Sequence, residues 1–123
     1  MLLLSFIVLL IVSLVGTALA APHLRAGNPG PPRWPLGAAH GLLGIAGLAA
    51  LLLALRGPQH GVAMGVGGFG RIAAVLLTAA LLAGLAVLTT RLRHRHVPGL
   101  LIGIHATLAV SGVVVLAAYT LVG

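Results

Sequence analysis

The chain has 123 residues, of which 60% are hydrophobic and only 6% are charged. Its seven charged side chains are all arginines, because lysine, aspartate, glutamate and cysteine are absent. A soluble domain carries about a quarter of charged residues, so this composition predicts an integral membrane protein. It also excludes paired-carboxylate catalysis, calcium or magnesium cages made of carboxylates, thiol chemistry and disulfides.

Four apolar runs are each long enough to cross a membrane as a helix, which takes about 20 residues. The predicted helices cover residues 2–21, 35–56, 68–91 and 98–121. Backbone polar groups in lipid must be satisfied within the segment, and a helix does this. The expected fold class is therefore all-α: a four-helix transmembrane bundle that forms a single membrane domain over residues 1–123.

The first helix also has features of a signal peptide. Ala18, Leu19 and Ala20 resemble a signal-peptidase site. However, no positive residue precedes the apolar run, and the run is long for a signal peptide. We therefore expect the first helix to be retained as a membrane span, with cleavage as the alternative.

The arginines are divided unequally between the connectors that separate the four runs. The first and third connectors together hold Arg25, Arg33, Arg91, Arg93 and Arg95, whereas the second holds Arg56 and Arg71. The positive-inside rule then predicts a multi-pass protein of the bacterial inner membrane with both termini periplasmic. With no acidic side chain in the chain, the arginines are expected to pair with anionic lipids, an anionic cofactor or acidic groups of other membrane subunits.

One histidine-led pattern occurs twice, as HGLLGIAG from His40 and as HATLAVSG from His105. The two predicted helices that carry it, the second and the fourth, run in the same direction. Each histidine lies about 7 to 11 Å along its helix from the arginine-rich side. The two imidazoles are therefore expected at the same depth, on helices that face each other.

Small residues follow each histidine at positions +4 and +7, on the same helical face. They are Gly44 and Gly47 after His40, and Ala109 and Gly112 after His105. Such a face forms a groove for a flat cofactor, or it lets helices pack closely. Three interpretations are open: a haem site, a histidine-lined proton or quinone site, and helix packing with incidental histidines.

In the haem hypothesis, His40 and His105 are the two axial metal ligands of one haem b. Arg33, Arg91 and Arg93 are the candidates for contacts with its propionates. The second nitrogen of each imidazole would donate to a backbone carbonyl one turn back or to a threonine hydroxyl. The layout is similar in principle to that of membrane b-type cytochromes, which hold haem between helices of a bundle. The haem hypothesis predicts one-electron transfer as a subunit of a larger redox complex rather than a stand-alone enzyme. One haem near one membrane face cannot carry electrons across the bilayer alone, so a quinone or another redox centre is expected as partner.

The competing hypothesis is a non-catalytic accessory or assembly subunit that binds lipids and partner helices.

Two further motifs carry less weight. The GxGxxG match from Gly65 to Gly70 opens a membrane helix and lacks the preceding strand of a dinucleotide fold. The basic stretch Arg91–His96 is a short connector between two membrane helices, so nucleic-acid binding is not expected.

Overall fold

The structure is a computed structural model that describes residues 1–26 and 34–122. Its helices are α1 (Leu2–Ala26), α2 (Trp34–Ala54), α3 (Phe69–Leu92) and α4 (Gly99–Leu121), with a short 3₁₀ turn at Val62–Met64. The described ranges contain helices and no strand. The predicted all-α, four-helix architecture is confirmed.

The helix ends differ from the predicted ones by a few residues. α1 continues for five residues beyond the predicted end and includes Pro22. α2 ends at Ala54, because the chain turns at Leu55 and Arg56 ahead of Gly57. α4 begins directly after Pro98, whose fixed φ suits the start of a helix.

Each of the four helices is long and apolar enough to cross a membrane. Large apolar side chains on all four are exposed at the bundle surface, for example Leu3, Leu43, Leu82 and Val114. A water-soluble bundle would place such side chains inside, whereas a lipid environment leaves them favourably solvated. The chain is a multi-pass membrane protein.

The helices pack as two hairpins, α1 with α2 and α3 with α4. The hairpins join through α1 against α4 and through a looser contact of α2 with α3. α2 and α4 therefore stand diagonally across the bundle, and none of their described Cα atoms approach within 8 Å of each other. The buried core contains Leu9, Leu48, Leu51, Ala73, Ala74, Leu77, Val113, Leu116 and Tyr119.

The two hairpins bury residues at equivalent positions. Leu51 of α2 and Leu116 of α4 are both completely buried, and they occupy the same position relative to His40 and His105. In α1 and α3, Ser5 and Ala73 are likewise both completely buried. The repeated histidine pattern is therefore part of a repeat that covers both helices of each hairpin.

The bundle has two unlike ends. We call the end with the first and third connectors the basic end; the described arginines there are Arg25, Arg91, Arg93 and Arg95. At the opposite end, the second connector folds over the bundle between left-handed Gly61 and Gly65. The backbone N–H of His60 donates to the hydroxyl of Tyr119 at 3.0 Å, which ties this connector to α4.

Candidate functional site

His40 and His105 occupy equivalent places in their helices. Each is the seventh residue of its helix, counted from Trp34 in α2 and from Gly99 in α4. At 1.5 Å per residue, each lies about 9 Å from the start of its helix. Both helices start at the basic end, so the two imidazoles share one layer of the bundle.

A glycine of the neighbouring helix makes room for each imidazole. A Cβ atom built on Gly16 of α1 would lie 2.7 Å from Cε1 of His40. A Cβ atom built on Gly84 of α3 would lie 3.0 Å from Cε1 of His105. Each ring thus rests directly on helix backbone, which only glycine permits at this separation.

Each imidazole is also anchored through one nitrogen. Nδ1 of His40 lies 3.0 Å from the carbonyl oxygen of Val12, and Nδ1 of His105 lies 2.7 Å from that of Ala80. A carbonyl oxygen can only accept, so Nδ1 carries the proton and donates in both cases. The tautomer this fixes leaves the Nε2 lone pair of each ring available to a ligand.

The two anchored rings meet across the diagonal of the bundle. Their centroids are 6.0 Å apart, and their planes are inclined by 80°. The helices that carry them do not touch at the level of backbone, so the side chains alone bridge α2 and α4. Both imidazoles are half-buried, so the arrangement places two ring systems side by side within the membrane-spanning part of the bundle.

The small residues beneath the histidines meet side chains from α1 and α3. A Cβ atom on Gly47 would lie 2.9 Å from Leu9, and one on Gly112 would lie 2.7 Å from Cγ of Leu77. Gly44 is nearer the histidine layer and has only the side chain of Val12 nearby, at 3.7 Å. At Gly47 and Gly112 the structure thus has the tight contacts typical of close helix packing. Ala109, the counterpart of Gly44, is half-buried.

The hydrogen-bond acceptors of the two Nδ1 atoms differ from the expected ones in one respect. Both acceptors are backbone carbonyls, but they belong to the neighbouring helix and not to the helix of the histidine. The threonine hydroxyls of this layer, at Thr17, Thr89 and Thr90, each donate to a carbonyl of their own helix. This is the usual arrangement for threonine inside a helix, because its hydroxyl reaches the carbonyl one turn back.

The predicted arginine contacts lie at the same end as the histidine layer. Arg91 is in the last turn of α3 and Arg93 follows that helix, and both side chains are exposed. Arg33 lies outside the described residues. The structure therefore places two of the three arginines, Arg91 and Arg93, at the end where the histidines lie.

Sequence reasoning missed Gly16, Gly84 and the two carbonyl acceptors on α1 and α3. A signal for them exists in the sequence. Leu9, Val12 and Gly16 of α1 correspond to Leu77, Ala80 and Gly84 of α3 at one constant interval. The repeat therefore extends to the first and third helices. Each site is formed by a histidine and a glycine of the same hairpin.

Imidazole nitrogens are donors that a b-type haem can take, and His40 and His105 would be the residues to supply them. Two metal–nitrogen bonds of about 2 Å, with about 1 Å from each nitrogen to its ring centre, require centroids about 6 Å apart. The observed 6.0 Å matches that requirement. In the described ranges no group of three or more His, Cys, Asp or Glu side chains could hold a metal ion. Two imidazoles with centroids 6.0 Å apart could supply two nitrogens to a metal whose other ligands come with a cofactor.

The fold and the site define a class: a four-helix membrane bundle with a diagonal pair of backbone-anchored imidazoles. No family model, no curated protein and no solved structure matches the chain.

Proposed function

We propose that this protein binds one b-type haem between His40 and His105 and carries single electrons as a subunit of a membrane redox complex. The observation that supports the proposal is the imidazole pair itself. Two rings from diagonal helices lie 6.0 Å apart, and each is anchored through Nδ1 to a carbonyl of a third or fourth helix. All four helices therefore contribute to holding the two imidazoles beside each other.

The anchoring is a reason to expect a ligand. A polar nitrogen in an apolar interior raises the free energy of the folded state unless it is satisfied. The carbonyls of Val12 and Ala80 satisfy one nitrogen of each ring, but Nε2 of each ring remains an acceptor. The two Nε2 acceptors cannot hydrogen-bond to each other, because neither has a proton. A metal bound at both positions resolves this conflict.

The remaining residues have simple roles in this proposal. Gly16 and Gly84 let the rings lie against backbone, which fixes their direction and excludes water from behind them. Gly44 and Ala109 lie one turn further from the basic end and present little side chain to a flat ligand. Arg91 and Arg93, with Arg33, would bind the propionates at the membrane edge. When bound, the haem would supply a one-electron couple whose potential depends on its axial ligands and surroundings.

The depth of the histidine layer implies partners. The layer lies about 9 Å from the start of α2 and α4, whereas the apolar membrane core is about 30 Å thick. A single cofactor there cannot carry an electron across the whole bilayer. A membrane quinone or the redox centre of another subunit must exchange electrons with it. We further infer that the protein lies in a bacterial inner membrane, with the basic end cytoplasmic and both termini periplasmic.

A second candidate function rests on a different observation. Gly47 and Gly112 pack tightly against Leu9 and Leu77, as expected of a bundle held together by its small residues. In that case the histidines serve as structural pins between helices through their bonds to Val12 and Ala80. The protein would then be an accessory subunit that presents its apolar exterior to other membrane helices.

The absorption spectrum of the detergent-purified protein distinguishes the two functions. After expression with ample haem supply, the haem protein has a Soret band and split α and β bands on reduction. His40→Ala and His105→Ala should each lose these bands, while His60→Ala at the opposite end should keep them. A colourless wild-type protein that also fails to bind added haem would exclude the haem function and favour the accessory one.

A rescue experiment separates loss of a ligand from loss of the fold. In His105→Gly, free imidazole can enter the space that the side chain vacates and replace the missing ligand. We expect millimolar imidazole to restore the α and β bands in this variant. Restoration in the absence of His40 and His105 together would indicate that the haem is held elsewhere.

A further inference from the structure

A cleft at the end opposite the histidines is lined by hydrogen-bond donors. It has a volume of about 410 Å³ and lies between the second connector and the ends of α2, α3 and α4. Its polar lining consists of Arg56, Gln59, Arg71 and Tyr119, with glycines such as Gly67 forming part of the wall. A cleft of this volume is in the range of small-molecule sites, which are about 300 Å³ or larger.

Tyr119 is the fixed element of this cleft. Its side chain is only 3% exposed, and its ring packs so closely on Gly70 that a Cβ atom there would lie 2.8 Å from Cε1 of the tyrosine. The tyrosine oxygen accepts the backbone N–H of His60 at 3.0 Å. Its own proton has no acceptor within residues 1–26 and 34–122. The buried hydroxyl of Tyr119 therefore borders the cleft and can donate a hydrogen bond to a ligand there.

The two arginines of this end both border the same cleft. Arg56 follows α2 and Arg71 lies in the first turn of α3, so the connector brings them together from two helices. The chain contains no aspartate or glutamate that could neutralise them. Two guanidinium groups beside one cleft repel each other unless an anion lies between them. Of the polar side chains in the lining, the two arginines can only donate hydrogen bonds, and the Tyr119 hydroxyl has a proton to donate. The amide of Gln59 can both donate and accept.

We propose that this cleft binds a phosphate group, carried by an anionic lipid headgroup or by free phosphate. Phosphate offers several acceptor oxygens in a tetrahedral arrangement, which donors from three elements can approach from different sides. The first turn of α3 adds the positive end of a helix dipole. The location at a membrane surface gives lipid phosphates direct access. The site is at the other end of the bundle from the haem site and does not depend on it.

The test measures binding of defined probes to the full chain in an uncharged detergent. The probes are dihexanoyl phosphatidylglycerol, inorganic phosphate, and hexyl glucoside as an amphiphile without phosphate. We expect saturable binding of phosphatidylglycerol or phosphate by calorimetry, with a rise in melting temperature. Competition by inorganic phosphate at equal concentration identifies free phosphate as the ligand, whereas binding of the lipid alone identifies the headgroup.

Variants show whether the binding occurs at this cleft. The double change Arg56→Gln with Arg71→Gln should weaken binding about tenfold or more, because each guanidinium contributes charge-assisted hydrogen bonds. The matched control, Arg25→Gln with Arg95→Gln, removes two exposed arginines at the basic end and should bind as wild type. Tyr119→Phe tests the donated proton and should weaken binding to a lesser degree. Equal losses in both double variants, or no saturable binding of either phosphate probe, would overturn the proposal.

Discussion

Gly84 lies directly beneath the imidazole of His105, where a Cβ atom would be 3.0 Å from Cε1 of the ring. Gly16 stands in the same relation to His40, with a still shorter distance of 2.7 Å. A methyl group at either position must displace a ring that is also anchored to a carbonyl one turn earlier. The space above each glycine and the Nδ1 hydrogen bond both fix the ring position. A methyl group that displaces the ring would therefore also disturb its hydrogen bond.

We therefore expect Gly16→Ala and Gly84→Ala to cost about 1–3 kcal/mol of folding free energy, as overpacking does elsewhere, and, under the proposed haem function, to weaken haem binding. Gly16→Ala should have the larger effect. Haem affinity and unfolding in sodium dodecyl sulfate measure the two consequences. Gly41→Ala and Gly103→Ala are matched controls on α2 and α4, because a Cβ atom there meets nothing within 4 Å. Equal behaviour of the two pairs would show that the rings do not rest on these glycines.

A second prediction concerns the helix contacts further from the basic end. The Cβ atom of Gly112→Ala would meet Leu77 at Cγ (2.7 Å) and at its backbone nitrogen (3.3 Å), whereas the three atoms nearest to that of Gly47→Ala all belong to side chains of α1. A side chain can move aside more easily than backbone, so Gly112→Ala should destabilise the bundle more than Gly47→Ala. Unfolding free energies of the two variants, with Gly37→Ala as an unhindered control, test this order. A reversed order would mean that α3 and α4 are farther apart than described.

The end of α3 gives a third prediction. The N–H of His94 donates to the carbonyl of Arg91 and that of Arg95 to the carbonyl of Thr90, which together form a Schellman motif. His94 occupies its left-handed position with φ of 52°, where glycine is usual. We expect His94→Gly to raise the free energy of unfolding by about 1 kcal/mol. The increase should appear as a higher melting temperature, and His96→Gly, with no such φ, should not produce it.

Topology is the fourth prediction. With the basic end in the cytoplasm, a C-terminal alkaline phosphatase fusion should be active, and a C-terminal green fluorescent protein fusion should be dark. Replacing Arg25, Arg91, Arg93 and Arg95 by glutamine while adding lysines to the second connector should reverse both signals. Bright fluorescence of the unmodified fusion would place the C-terminus in the cytoplasm.

Much of the fold follows from local properties of the chain. The four spans could be predicted because apolar length and arginine positions are one-dimensional features. The shared depth of His40 and His105 could also be predicted, since depth along a helix is only a count of residues from its start. The helix ends were harder to predict, as at Pro22 and Ala54. Whether a helix continues through a proline or stops at a turn depends on the residues packed around that point.

The rotation and order of the helices around the bundle could not be read in the same way. In these helices apolar residues cover every face, so no polar stripe marks the side that points inward. Sequence therefore determined that this is a four-helix membrane protein with two level imidazoles. Only the tertiary structure decided that α2 and α4 are diagonal, that the ring centroids lie 6.0 Å apart, and that Gly16 and Gly84 support the rings. These relations depend on packing between helices distant in sequence, and that packing is set by the fit of side chains across all four helices at once.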